Sequence, residues 1–155
     1  MIIQAEKVVK SYGKFKAVDQ VSFSVPSSVC FGILGPNGAG KTTLMKMIYG
    51  RTHRDDFSQS SLSVMGFDPQ HDELAIKNVS GVVAQEDCLD QELNVIQNLL
   101  IFSRFYDMSR SVAEQRINEL LQFMELTEKK ESPIRALSGG MKRRLVIARA
   151  LLNNP

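Results

Sequence analysis

A glycine-rich stretch that contains one lysine carries the strongest chemical signal in the sequence. Residues 35–42 read Gly-Pro-Asn-Gly-Ala-Gly-Lys-Thr, which fits the spacing G-x-x-x-x-G-K-[ST]. Glycines allow successive backbone N–H groups to turn towards phosphate oxygens, and a helix that begins there adds N–H donors and the positive end of its dipole. We expect Lys41 to bind the β- and γ-phosphates of a nucleotide, Thr42 to ligate Mg²⁺, and Thr43 to lie near the α-phosphate. The residues predicted to bind the nucleotide are Gly35, Pro36, Asn37, Gly38, Ala39, Gly40, Lys41, Thr42 and Thr43.

Apolar residues on both sides of this loop predict the elements that would position it. Residues 29–34 form a nearly continuous apolar run, which predicts a central strand covered on both faces. Residues 42–49 predict a mostly apolar helix that ends at Gly50. Phosphate binding requires a strand before the loop and a helix after it. This order therefore favours a nucleotide site over the alternative, a flexible surface loop that carries a stray lysine.

The remaining pattern is β-rich in the first third of the chain and helical beyond Gln85. The other predicted strands are 2–9, 21–25, 62–67 and 79–84, and the polar stretch 51–61 predicts a surface loop. Asn94 predicts the cap of a helix over 95–106, and Ser111 with Glu114 predicts a capping box for the next helix. The apolar face of that next helix is expected to consist of Ile117, Leu120, Leu121 and Met124. A final helix is predicted over 139–153.

The composition indicates a soluble cytoplasmic protein of about one domain. The chain has 155 residues, of which 43% are hydrophobic and 23% charged, and a formal net charge of +2. So small a charge argues against binding to nucleic acid or to an anionic membrane surface. No apolar run approaches the ~18 residues needed to span a bilayer. Cys30 and Cys88 are too few for a disulfide framework and are expected to be reduced thiols, with Cys30 inside the buried strand.

A second motif, Leu137-Ser138-Gly139-Gly140-Met141, opens the final helix. Ser138 is a natural N-cap, and the two glycines leave the helix start uncovered so that a phosphate could approach it. The next residues, Lys142-Arg143-Arg144, oppose the helix dipole at a cost of ~0.3–1 kcal/mol each. An anion bound at this helix start would turn that cost into attraction. The alternative is that these long side chains extend into solvent.

These motifs together resemble the nucleotide-binding domain of an ABC transporter. The matching segments are G-P-N-G-A-G-K-T-T at 35–43, L-S-G-G-M at 137–141 and I-A-R-A-L-L at 147–152. The M-K-R-R-L variant resembles exporters of the drug-resistance and nodulation type. The resemblance implies an α/β fold of the P-loop NTPase class, ABC ATPase type, with an antiparallel β subdomain and an inserted helical subdomain.

The resemblance also implies a division of the chain and the roles of further residues. It assigns 1–88 and 142–155 to the core and 89–141 to the helical subdomain. Tyr12, in Ser11-Tyr12-Gly13, resembles the aromatic residue that stacks on adenine, the alternative being an ordinary tyrosine at a strand end. Gln85 resembles the glutamine that reaches Mg²⁺ and the attacking water, so Lys41 and Gln85 are the expected catalytic residues and Thr42 and Gln85 the expected Mg²⁺ ligands. The residues expected to contact ATP held by a second subunit are Leu137, Ser138, Gly139, Gly140 and Met141.

The family pattern also sets the expected partners. The resemblance implies ATP and Mg²⁺ as ligands, a second nucleotide-binding domain that closes over two ATP molecules, and a membrane permease that holds the protein at the cytoplasmic face of the inner membrane. The helical region after Gln85 is the expected docking surface for the permease, and no nucleic acid is expected as a partner. The family segment L-T-V-x-E-N-L is altered at Asn94 and Gln97.

Several expectations concern what this sequence omits. The family's Walker B strand, which ends in Asp-Glu, and its switch histidine are not among these 155 residues, so we expect a truncated domain that hydrolyses ATP inefficiently. We also expect its exposed apolar edge to cause self-association. Three alternatives stay open at this point: another P-loop enzyme such as a kinase or GTPase, an ABC ATPase of DNA repair or translation, and a non-catalytic binding fragment.

Overall fold

The computed structural model describes residues 1–55 and 59–155, which form two units, Met1–Val79 and Ser80–Pro155. Within these residues the first unit combines an antiparallel sheet with helices, and the second unit is helical, which confirms the α/β class. In chain order the elements are β1 (Ile3–Tyr12), β2 (Phe15–Val25), α1 (Lys41–Ile48), β3 (Ser61–Val64), α2 (Glu73–Val79), α3 (Val95–Arg104), α4 (Arg110–Phe123) and α5 (Gly139–Ala150), with 3₁₀ turns at Thr127–Lys129 and Ile134–Ala136.

The sheet of the first unit has the order β2-β1-β3. β1 and β2 form a hairpin in which Ile3 pairs with Val25 and Tyr12 with Phe15, across a turn where Gly13 has a φ of +60°. β3 pairs only with the first part of β1, from Ile3 to Glu6. The strands predicted at 2–9 and 21–25 are confirmed within these longer strands, and the strand predicted at 62–67 is confirmed as the shorter β3.

α1 packs against this sheet and carries the loop that precedes it. Leu44 and Met47 are buried on α1 and join a small core with Val8, Val18 and Leu62 from the three strands. The helix ends as predicted at Gly50, whose φ of +78° is the left-handed conformation that favours glycine. The start of α1 is thereby fixed against the sheet by apolar side chains one and two turns into the helix.

The predicted central strand at 29–34 is wrong. These residues have no regular secondary structure, and Val29, Phe31 and Leu34 are 52%, 47% and 94% exposed. An apolar run becomes a strand only where a neighbouring strand completes its hydrogen-bond ladder, and the described residues place no strand beside this one. Phe31 instead stacks on Phe23 of β2, with ring centroids 5.5 Å apart. Cys30 is consequently exposed rather than buried.

The predicted strand at 79–84 is wrong for the same reason. Val79 is the last residue of α2, which the sequence analysis did not predict, and residues 80–84 are irregular. Residues 56–58 of the predicted surface loop 51–61 lie outside the described residues.

The second unit is a group of helices around an apolar core. Leu99 of α3, Ile117 and Leu121 of α4, and Leu145 of α5 are completely or almost completely buried in it. The predicted apolar face of α4 is confirmed, since Leu120 and Met124 are buried as well.

The helix starts of this unit agree with the prediction at two of three places. The Asn94 side chain accepts from Gln97 N–H at 2.9 Å, and the Gln97 side chain accepts from Asn94 N–H at 2.9 Å, so Asn94 is the predicted cap and forms a full capping box. Ser138 caps α5 as predicted. The predicted cap at Ser111 is wrong, because the Ser109 hydroxyl accepts from the Val112 N–H and α4 begins two residues earlier than predicted.

The structure contains no candidate membrane span within the part of the chain it describes. None of the helices there combines the length and the apolar character that crossing a bilayer requires.

Candidate functional site

The glycine-rich loop at 35–42 lies on the surface of the first unit. Its three glycines, Gly35, Gly38 and Gly40, have φ values of +155°, +84° and +81°, which side chains with a Cβ rarely adopt. The loop closes on itself through a hydrogen bond from Ala39 N–H to Pro36 O at 3.3 Å. Residues 34–39 are all exposed, so the side chains that the structure describes leave the loop accessible.

The start of α1 supplies backbone donors next to this loop. The first backbone bond closing the helix runs from Leu44 N–H to Gly40 O at 2.9 Å, so the N–H groups of Lys41, Thr42 and Thr43 precede the helical ladder. No side chain caps this helix, and its first turn contains no acidic residue. A helix start with unused N–H groups and no local carboxylate is suited to an anion such as a phosphate.

The Lys41 ammonium lies over the glycine-rich loop. It donates hydrogen bonds to Gly35 O at 2.8 Å and to Pro36 O at 2.7 Å. An ammonium has three donors and no acceptor, so these carbonyls use two of the three. The positive charge is therefore held at the loop by the loop's own backbone, close to the N–H groups that open α1.

Gly40 fixes the position of the loop against the sheet. A Cβ at Gly40 would overlap Ala17 O and stand 3.1 Å from Ala17 C and 3.4 Å from the Val18 side chain. Only glycine allows this close approach of the two backbones. Ala17 lies two residues from Phe15, the strand partner of Tyr12, so the loop and Tyr12 are near the same end of the β1–β2 hairpin. The sequence pattern identified Gly40 as a loop glycine but contained no signal for its contact with β2.

Tyr12 is the last residue of β1, and 52% of its surface is exposed. The Lys10 ammonium lies 5.6 Å from the centroid of its ring. Lys10 also contacts the Asp55 carboxylate, with 3.2 Å between Nζ and Oδ1. The Tyr12 ring thus lies near the partly buried Lys10 ammonium, while about half of the residue stays accessible to solvent.

Asp55 binds the backbone of β1 next to Tyr12. Its N–H donates to Val9 O at 2.9 Å, and its Oδ2 accepts from Ser11 N–H at 2.7 Å. Partial burial raises the pKa of Asp55, but the hydrogen bonds from Ser11 and Lys10 outweigh this and bring the pKa below its ordinary value. Sequence reasoning missed Asp55, which lies in a polar loop far from Tyr12 in the chain.

The motif at 137–141 forms an open helix start in the second unit. Leu137 is buried, and Ser138, Gly139 and Gly140 are exposed. The Ser138 hydroxyl accepts from Met141 N–H at 3.2 Å. A Cβ at either glycine would meet no atom within 4 Å, so these glycines keep the helix start uncovered rather than allowing a close contact within the protein.

Two of the three basic residues that follow, Arg143 and Arg144, donate hydrogen bonds to acceptors beside α5. Arg143 donates to Ala84 O, and Arg144 donates to Met124 O and to the Glu125 carboxylate, both at 2.9 Å. Two of the three cations predicted to oppose the helix dipole are thereby compensated by acceptors beside α5. A bound anion is not needed to explain them.

Gln85 is exposed in the irregular segment 80–88, and α5 holds that segment at two places. Arg143 contacts the carbonyl just before Gln85, as described above. Arg149 is 8% exposed and donates to Cys88 O at 2.7 Å and to Asp87 O at 3.1 Å. Burial lowers the pKa of Arg149, against the opposing influence of Cys88, Tyr106 and Asp87. Sequence reasoning used Arg149 only as part of a resemblance, although an arginine among apolar residues of one helix was a usable signal.

These residues fit a nucleoside triphosphate with Mg²⁺. The exposed N–H groups at the start of α1 and the Lys41 ammonium suit phosphate oxygens. Thr42 in the first unit carries a hydroxyl and Gln85 in the second an amide carbonyl, and each is an oxygen donor of the type that Mg²⁺ prefers. Tyr12, Lys41 and Thr42 lie in the first unit, and Gln85 and Ser138 in the second.

Comparison with known proteins identifies the family of the chain. Residues 18–155 match the family model for ABC transporters. A protein of Mesorhizobium japonicum named Nod factor export ATP-binding protein I is 48% identical over 149 residues, covering 96% of this chain and 43% of the relative. A protein of the same name from Ralstonia nicotianae is 44% identical, covering 99% of this chain and 47% of the relative. The chain thus spans about half the length of the curated relatives it matches.

Solved structures show the same fold. The crystal structure of an ATP-binding cassette of an ABC transporter in its ADP conformation is 30% identical, with a TM-score of 0.82, over 99% of this chain and 65% of that one. An ATP-binding subunit of an ABC transporter has a TM-score of 0.84 at 23% identity, over 100% of this chain and 63% of that one. The fold class predicted from the motifs is confirmed by these neighbours.

Proposed function

The chain belongs to the ABC transporter family, and from that premise we propose that it binds Mg-ATP as the ATP-binding subunit of an export-type transporter. The observation that carries the proposal is the loop at the start of α1. Its glycines hold positive φ values, its backbone is exposed, and the Lys41 ammonium lies directly over it. The likeness to proteins named as Nod factor export ATP-binding proteins supports export as the direction of transport.

In the proposed complex each part of the nucleotide has its own binding residues. The N–H groups of residues 41–43 bind phosphate oxygens, and Lys41 exchanges at least one of its two loop carbonyls for a β- or γ-phosphate oxygen. Tyr12 stacks on the adenine ring. Thr42 and Gln85 are the proposed Mg²⁺ ligands of the two units, and the ion would neutralise phosphate charge when bound. Lys41 and Gln85 act as the catalytic residues when ATP is hydrolysed.

The second unit supplies the contact to a second subunit. We place Ser138, Gly139 and Gly140 against ATP held by the glycine-rich loop of a partner copy, because these residues are exposed and uncovered. ATP then binds the closed pair better than the open one and shifts the population towards closure. The helical subdomain at 89–141, inserted in the core of 1–88 and 142–155, transmits this closure to a membrane permease, which keeps the protein at the cytoplasmic face of the inner membrane.

Nucleotide binding tests this proposal directly. Lys41→Ala is expected to weaken Mg-ATP binding by about 100-fold or more, because it removes the positive charge that is proposed to bind two phosphates. Lys46→Ala, on the same helix but outside the loop, is the matched control and should bind ATP like the parent. Isothermal titration calorimetry with Mg-ATP measures both. If Lys41→Ala binds Mg-ATP as the parent does, the proposed site is wrong.

Dimer closure is tested separately from binding. Ser138→Arg places a bulky side chain at the uncovered start of α5 and should leave ATP binding unchanged while it prevents ATP-dependent association. Light scattering after size-exclusion chromatography, with and without Mg-ATP, measures this. ATP-dependent dimers formed equally well by the Ser138→Arg protein would contradict the proposed role of the motif.

A further inference from the structure

The end of β1 is held by a residue from outside the sheet. β3 pairs with β1 only from Ile3 to Glu6, so in the described residues no strand lies on that side of β1 near Tyr12. Asp55 takes this place. It donates its own N–H to Val9 O at 2.9 Å and accepts Ser11 N–H through Oδ2 at 2.7 Å, much as a neighbouring strand would.

Lys10 connects the same carboxylate to the aromatic ring. Its ammonium lies 3.2 Å from Asp55 Oδ1 and 5.6 Å from the centroid of the Tyr12 ring. The side chains of Lys10 and Asp55 are only 19% and 32% exposed, so neighbouring atoms restrict their motion more than they would restrict an ion pair in full contact with solvent. A cation at this distance from a ring is attracted to its π-face. The ammonium therefore lies on one side of the Tyr12 ring, and about half of the residue stays exposed, at 52%.

We propose that Asp55 and Lys10 are positioning residues for the nucleobase, fixing the Tyr12 backbone and occupying one face of its ring so that the opposite face receives the adenine. This inference rests on the proposed function, because it assumes that Tyr12 stacks on the base. A stacking ring that is already held in one orientation loses less side-chain entropy when the base binds. Asp55 acts on the backbone at Ser11, and Lys10 acts on the ring itself.

The residues that position Tyr12 are different from the residues that bind the phosphates. Asp55 and Lys10 contact β1, whereas the phosphate-binding N–H groups open α1 and are held by Gly40 against Ala17 of β2. Loss of either positioning residue should therefore weaken binding of a ligand that has a base and spare a ligand that has phosphates alone. A general loss of folding would weaken both.

The experiment compares two probes, Mg-ATP and inorganic tripolyphosphate with Mg²⁺. Asp55→Ala and Lys10→Gln are expected to raise the Kd for ATP by about 3- to 10-fold, because each removes only part of the contribution of base–aromatic stacking. The Kd for tripolyphosphate should stay at the parent value. The matched controls are Asp19→Ala and Lys16→Gln, because Asp19 and Lys16 form a 3.2 Å pair on β2 that is more than half exposed. Both controls should bind both probes like the parent.

A double substitution shows whether the effect passes through Tyr12. In a Tyr12→Ala background, Asp55→Ala should cause no further loss of ATP affinity, because the ring it positions is gone. A further loss of the same size in that background would overturn the inference. So would an equal rise in Kd for ATP and tripolyphosphate in the Asp55→Ala and Lys10→Gln proteins.

The outcomes also distinguish this inference from the proposed function. If Tyr12→Ala weakens ATP binding while Asp55→Ala and Lys10→Gln bind ATP like the parent, the positioning role is wrong and the nucleotide site stands. If the parent protein binds neither probe, the proposed function and the inference both fail. Because the sequence contains no tryptophan, a Tyr12→Trp protein gives a fluorescence signal from this position alone, and quenching by ATP but not by tripolyphosphate is the expected result.

Discussion

The Arg143 guanidinium donates a hydrogen bond to Ala84 O, and so joins the helix that begins after Ser138 to the residue before Gln85. Arg149, further along α5, holds the same irregular segment through Cys88 O and Asp87 O and lies 4.2 Å from the centroid of the Phe102 ring. Two arginines of one helix thus hold the backbone on both sides of Gln85. The segment has no strand or helix of its own to order it.

Removal of Arg143 should loosen the backbone around Gln85 without unfolding the protein. Arg143→Gln removes one charge-assisted hydrogen bond, and because Arg143 is exposed, solvent screening limits its contribution to about 0.2–1 kcal/mol. Amide hydrogen exchange of the peptide that covers 81–89 should become up to several-fold faster, as followed by mass spectrometry. Lys142→Gln changes the charge equally at the neighbouring position and should leave this exchange unchanged. Equal exchange rates in the parent and the Arg143→Gln protein would show that the contact does not order the segment.

Replacement of Arg149 should destabilise the second unit. Arg149→Met keeps an apolar stem but leaves Asp87 O and Cys88 O without their donor, and we expect the free energy of unfolding to fall by about 1–3 kcal/mol. Arg149→Lys keeps the charge but cannot serve both carbonyls and lie over Phe102 in the same way, so it should restore only part of the stability. Urea unfolding followed by circular dichroism measures both. Full stability of the methionine protein would contradict this role.

Alanine at Gly40 should be far more harmful than alanine at Gly38. Both glycines have positive φ, so each substitution costs about 1–2 kcal/mol of backbone strain. At Gly38 the new Cβ meets nothing within 4 Å, whereas at Gly40 it overlaps Ala17 O. Gly40→Ala must therefore move the loop away from β2. We expect it to lower the thermal midpoint of unfolding by much more than Gly38→Ala does. Differential scanning calorimetry gives the comparison, and equal midpoints would show that the loop does not lie against β2.

The stability of the first unit should depend on pH through Asp68. Arg54 donates two hydrogen bonds to the Asp68 carboxylate, at 2.7 and 2.8 Å, and this pairing, against partial burial, holds the pKa of Asp68 below its ordinary value. Because the folded-state pKa is depressed, the stabilisation is fully present above the ordinary carboxyl pKa and is lost as the pH falls through the folded-state pKa. Asp68→Asn should cost about 1–2 kcal/mol at pH 7 and progressively less below about pH 4.

Unfolding by urea at a series of pH values tests this dependence. Asp19→Asn is the control, because Asp19 pairs with Lys16 on an exposed part of β2, and it should change stability little at any pH. A cost of Asp68→Asn that stays constant down to pH 2 would contradict the prediction.

The parts of the fold that depend on local chemistry could be predicted from the sequence. The helix after the glycine-rich loop, its end at Gly50 and the caps at Asn94 and Ser138 all follow from residue types within one or two turns. The apolar face of α4 follows from its spacing. Ser109 and Ser111 are both good caps, and local sequence alone did not decide between them.

The parts that depend on distant partners could not be predicted. The run at 29–34 has strand composition, but a strand forms only with a neighbour, and Phe31 stacks on Phe23 instead. α2 was missed in a polar region, although Glu73 and Lys77 have the four-residue spacing of a helical ion pair and contact each other at 2.6 Å. At the candidate site, Asp55 and Arg149 act on backbone atoms more than 40 residues away, which no local pattern records.

The capping box at the start of α3 has a consequence for acid conditions. Gln97 stands where a glutamate is more usual, so both side chains that close the box, those of Asn94 and Gln97, are amides and carry no charge to lose. Such an uncharged start forgoes the ~0.3–1 kcal/mol that a carboxylate gains from the helix dipole. In exchange, the two hydrogen bonds of the box do not depend on a charge that acid or salt could remove, although Asn94 also donates to the Glu131 carboxylate at 3.1 Å. Acidification should therefore weaken the two halves of the chain unequally, with the Arg54–Asp68 pair lost while α3 keeps its first turn.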